Sequence, residues 1–163
     1  MPPSNWIKLN FDVAIREEKI TIAVASRDSM GNTLKAWFDQ FVPNSPLVGE
    51  ARAGWSAIRL VASEGYANII LEGDAWNVIE PIHNADVDPH WSIKTLFDDI
   101  LYFVKYLNNV KFSFVYREDN VSTHLLAQWA ALVSWTGLGL FSNLPSLILW
   151  ALAQLFCFSL LSG

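Results

Sequence analysis

Three acids stand where acids are costly. Asp12 ends the stretch IKLNFD, Glu50 sits inside LVGEARAGW, and Asp74 follows IILEG. If they converge, bare proximity is unfavourable, because two like charges at about 4 Å repel by about 4 kcal/mol at an effective dielectric near 20. A bound divalent cation removes that repulsion. An all-oxygen donor set favours Mg²⁺ or Mn²⁺ over zinc. Each acid also has a plainer reading. Asp12 can be a solvent-facing strand residue, Asp74 a helix N-cap, and Glu50 a buried partner for an arginine.

The elements that must bring these acids together are legible from hydrophobic period. Ile7-Lys8-Leu9-Asn10-Phe11-Asp12 alternates and predicts a strand in which Asp12 shares a face with Lys8 and Asn10. Strands are expected at 19–27 and 33–41, joined by the turn residues Asp28 to Asn32. A helix from about Leu47 to Gly65 turns Arg52, Ser56, Arg59 and Ser63 outward, which puts Glu50 on its inward side. A strand at 67–73 follows, then helices at 75–83 and 91–107, a strand at 110–116 and a helix from Asn120. That order predicts one α/β domain with a mixed sheet. Its ligands would gather beyond the carboxyl ends of the parallel strands.

Composition narrows the classes. The chain of 163 residues is 52% hydrophobic, with eight Trp and ten Phe, enough for a sizeable core. Lone Cys157 leaves no internal disulfide and fits a reducing compartment. The opening MPPSNWIKLNFD lacks the pattern of a secretory signal, so an intracellular location, nuclear or cytoplasmic, is expected. The net charge of −5 and singly scattered Lys and Arg give no basic run of the kind that grips phosphates. Any nucleic-acid binding should be weak and salt-sensitive.

In order and spacing, NWIKLNFD, SRDSMGN, Ser45-Pro46 with Glu50 beyond it, IILEGD and VYREDNVSTHLLAQWA resemble the plant ribonuclease H-like domains related to retroelement reverse transcriptases. The resemblance spans about residues 5–135 and implies a five-stranded mixed sheet flanked by helices. It implies endonucleolytic hydrolysis of the RNA strand of RNA–DNA hybrids, with two Mg²⁺ (or Mn²⁺) ions about 4 Å apart. Asp12, Glu50 and Asp74 match the family's catalytic and metal-binding acids. His124 stands at the fourth acidic position, where it would bind the second metal weakly, help product leave, or do neither. Val13, Ser45 and Trp76 fall at positions implied to face nucleic acid.

Three departures point to an eroded grip on substrate and to a rival reading, a catalytically impaired module that binds nucleic acid or protein weakly. Val13 replaces a usual glycine, Ser45-Pro46-Leu47-Val48 lacks the family's asparagines, and KITIAVASR lacks its glycines. The remaining stretch, 136–163, reads as an apolar tail. Leu144 to Leu161 carries no charge and would form a helix of about 27 Å. Docking on the domain or a partner is favoured there over a membrane anchor, since Pro145 and Gln154 dilute the run and no Lys or Arg flanks it.

Overall fold

The computed structural model describes residues 1–42, 45–134 and 136–140, the last four by backbone alone. The five expected strands are β1 (Ile7–Ile15), β2 (Ile20–Arg27), β3 (Thr33–Phe41), β4 (Asn68–Gly73) and β5 (Asn109–Phe114). A short sixth strand, β6 (Gly137–Leu140), lies in the stretch expected to be a tail and pairs antiparallel with β3. The sheet order is β5-β4-β1-β2-β3-β6. β1, β2 and β3 form an antiparallel meander, while β4 runs parallel to both β1 and β5.

The helices are α1 (Pro46–Glu64), α2 (Trp76–His83), α3 (Lys94–Val104) and α4 (Val121–Val133). α1 begins where the sequence provides a cap: Ser45 Oγ accepts from the Val48 N–H at 3.2 Å, and Pro46 opens the first turn. It ends at Gly65, whose φ of 69° is left-handed and whose N–H donates to the Val61 carbonyl. The expected helix over 91–107 is shorter, because Trp91–Ile93 forms a single 3-10 turn ahead of α3.

The sheet is two-faced, and the sequence of β2 shows why. Ile20, Ile22 and Val24 join Leu9, Phe11, Val13, Ile69 and Leu71 in a core of large side chains against Ala53, Ala57, Ile58 and Val61 of α1 and Ile100 of α3. The alternate residues Ala23 and Ala25, with Ala14 and Ala36, meet Leu126, Ala127, Ala130 and Ala131 of α4. Small residues on both partners let α4 lie close to the strands. Among the described residues, no helix is long and apolar enough to cross a membrane. The candidate helix at 144–161 lies outside the described residues.

Candidate active site

The register of the parallel strands sets the site. β4 pairs with β1 as far as Glu72 opposite Asn10, then stops at Gly73. Continuing that register by two residues brings Asp74 level with Asp12. Glu50, in the first turns of α1, reaches the same gap. One carboxylate oxygen from each of Asp12, Glu50 and Asp74 lies within 4.8 Å of the others.

Gly73 makes the approach possible. A Cβ on this residue would stand 2.4 Å from the ring of fully buried Phe11, so any side chain would push the end of β4, and Asp74 with it, off the sheet. The N-cap reading of Asp74 does not hold. Ala75 occupies the cap position of α2 without a side-chain bond, and Asp74 Oδ1 is buried with no hydrogen-bond partner among the described residues. Among the described residues Glu50 Oε2 is likewise buried and unpartnered, and no ion pair to an arginine holds it. Asp12 is only 2% exposed, so it is no solvent-facing strand residue.

The electrostatics follow from this crowding. Burial pushes the Asp12 carboxyl up to about 6, and the charge of Asp74 adds to the effect; the Val13 N–H and His124 oppose it. Glu50 is raised well above the usual carboxylate range, first by burial and then by Asp12 and Asp74, with Arg117 acting in the opposite sense. Two buried oxygens without donors, in a cluster where Asp12 and Glu50 resist ionisation, fit a divalent cation.

His124 is held by both ring nitrogens. Its Nδ1 lies 2.8 Å from Asp12 Oδ2, and its Nε2 lies 2.9 Å from Gln128 Nε2 and 3.4 Å from Arg117 Nη2. Gln128 and Arg117 can only donate there, so the network assigns the proton to Nδ1 and makes Asp12 its acceptor. Asp12 Oδ1 accepts from the Val13 N–H at 2.7 Å. Asn120, 1% exposed, donates its Nδ2 to the Phe11 carbonyl at 3.0 Å and ties the start of α4 to β1 beside Asp12.

Other expected residues take different places. The Val13 side chain, implied to face nucleic acid, is buried in the core on the strand face away from Asp12; its backbone N–H is what reaches the site. Ser45 caps α1. Trp76 is half exposed, two residues beyond Asp74. Glu72 stays outside the cluster, paired with Lys8 at 3.0 Å and accepting from Asn10 Nδ2 at 3.1 Å. Gln128 and Asn120 escaped the sequence reading. Gln128 was within reach, because it lies one helical turn from His124 on the same face. Asn120 carried no local sign of its bond to a strand 109 positions away.

A mixed sheet in this order, with α1 and α3 on one face, α4 on the other, and acids from β1, α1 and the end of β4 meeting in one place, defines a ribonuclease H-like domain. The model of the reverse transcriptase-like family matches residues 10–130. The chain belongs to that family. In structure it is similar to ribonuclease H1 of the halophilic archaeon Halobacterium salinarum, with 18% identity and a TM-score of 0.71 over 80% of this chain and 99% of that one. It is similar to LC11 ribonuclease H1 in complex with an RNA/DNA hybrid, with 18% identity and a TM-score of 0.70 over 78% of this chain and 98% of that one. The N-terminal ribonuclease H domain of a Mycobacterium tuberculosis protein gives 13% identity and a TM-score of 0.69 over 80% and 99%. No curated protein matches the chain in sequence.

Proposed function

We propose that this domain is a divalent-metal-dependent endonuclease that hydrolyses the RNA strand of RNA–DNA hybrids. The observation that supports it is the meeting of Asp12, Glu50 and Asp74, with buried oxygens of Glu50 and Asp74 left without donors. These three residues would hold Mg²⁺ or Mn²⁺, in the two-ion arrangement that the family resemblance implies. When bound, such ions neutralise phosphate charge, lower the pKa of an attacking water and stabilise the leaving oxygen.

The chain's own groups prepare that site. The Val13 N–H and the His124 Nδ1–H fix the Asp12 carboxylate in one orientation. Gln128 and Arg117 occupy Nε2, which favours an orienting role for His124 over direct metal ligation. Because burial raises both the Asp12 and the Glu50 carboxyl, cation uptake is coupled to proton release as pH falls towards about 6. Contacts to 2′-hydroxyls across the minor groove are the expected source of RNA selectivity. The similar LC11 enzyme was captured with an RNA/DNA hybrid, which favours that substrate class here.

The test is cleavage of a labelled hybrid with and without Mg²⁺. Cutting that requires Mg²⁺ and disappears in Asp12→Asn supports the proposal; no cutting at low salt and high protein concentration overturns it. A second reading, a binding module without catalysis, is favoured by the net charge of −5 and scattered bases. Titration calorimetry with Mn²⁺ separates the two, since a module that has lost its metal site takes up none.

A further inference from the structure

Beside the acidic cluster runs a row of aromatic rings. Trp76 packs edge-to-face on Phe114, with centroids 5.4 Å apart and planes at 89°. Phe114 packs in the same way on Tyr116, at 5.4 Å and 78°. Phe114 is opposite Gly73 in the sheet, and the Val115 N–H donates to the Gly73 carbonyl, so the row is fixed to the backbone next to Asp74. Arg117, exposed and next in sequence to Tyr116, touches His124. The row thus begins two residues beyond Asp74 and ends next to Arg117, which reaches the histidine bonded to Asp12.

The two outer rings are solvated although the inner one anchors them: Trp76 is 51% exposed and Tyr116 69%. Such rings are oriented in advance and lose little freedom on stacking. Nucleobases inside a duplex already stack on each other and offer no face, whereas unpaired nucleotides do. Stacking also does not depend on positive charge, which suits a chain of net charge −5. We propose that Trp76 and Tyr116, braced by Phe114 and next to Arg117, bind unpaired nucleotides that flank a hybrid, so that the site works at single-stranded extensions or junctions. This rests on the nuclease reading above and narrows its substrate.

Fluorescence anisotropy tests it with the full chain in chelator, where no strand is cut. The ligands are a short blunt hybrid and the same hybrid carrying a single-stranded extension of about four nucleotides on either strand. An extension should tighten binding roughly tenfold, at low and at high salt. Tyr116→Ala should remove most of that gain while leaving blunt-hybrid affinity unchanged; Trp76→Ala should also remove most of the gain, and Trp76→Phe should keep it. The unchanged blunt affinity controls for misfolding. No gain from either extension, or a gain that Trp76→Ala leaves intact, overturns the inference and returns the row to a protein-docking face. Mn²⁺ calorimetry on the same chains keeps the two claims apart. Mn²⁺ uptake without an extension gain removes this inference alone; an extension gain without Mn²⁺ uptake supports it and removes the catalytic proposal.

Discussion

Replacing Asp12 by Asn should stabilise the metal-free domain while destroying its response to metal. The Asp12 carboxyl is held at about 6 in place of 3.8. At about 1.4 kcal/mol per pH unit, its ionised form is about 3 kcal/mol less favourable in the fold than in the unfolded chain. A group raised in this way stabilises the fold while protonated, below about pH 4, and gives that stability up as pH climbs to about 6. At neutral pH the neutral amide therefore relieves about 3 kcal/mol. Against this stands the bond from His124 Nδ1–H, which an Asn amide nitrogen cannot accept; its loss costs about 1–2 kcal/mol. The net gain is about 1–2 kcal/mol, or about 3–6 °C in Tm for a chain of this length. Thermal unfolding in chelator reads it directly. The advantage should vanish and then reverse as pH falls to about 4, where the charge penalty is gone and only the lost His124 bond remains. With saturating Mn²⁺ the parent should rise by several degrees and Asp12→Asn should not. A lower Tm for the variant in chelator, or an equal Mn²⁺ response in both chains, would refute the argument that these acids are held together against their own repulsion.

Three further outcomes follow from the same geometry. Mn²⁺ affinity should fall as pH drops below about 6, with proton release on binding, because the cation displaces protons that burial holds on Asp12 and Glu50; calorimetry in buffers of different ionisation enthalpy measures both. Gly73→Ala should cost about 1–3 kcal/mol by urea denaturation, since its Cβ overlaps the Phe11 ring, and adding Phe11→Leu should recover part of the loss relative to Gly73→Ala alone. Asn120→Ala should cost about 1–3 kcal/mol by leaving the buried Phe11 carbonyl without its donor, and should weaken Mn²⁺ binding by loosening His124 against Asp12.

Strand and helix order were open to a reader of the sequence because period-two and helical patterns are local. So was the odd placement of Glu50, whose inward phase follows from the outward stripe of Arg52, Ser56, Arg59 and Ser63 on one helix. Val13 shows the limit of that kind of reading: its position after Asp12 was clear, but the same alternation that exposes Asp12 to the site buries Val13 in the core. The fourth-position histidine was likewise visible, while the fixing of its ring by Gln128 and Arg117 was not.

By itself the sequence determined which residues could form a metal site and which elements would carry them, since both depend on residue type and short spacing. Tertiary structure alone decided that Asp12, Glu50 and Asp74 meet. That meeting depends on where β4 stops against β1 and on a glycine that spares the Phe11 ring, just as the approach of His124 to Asp12 depends on an alanine-lined face that lets α4 come close. Each is a contact between chain segments far apart in sequence, and no local pattern encodes its distance.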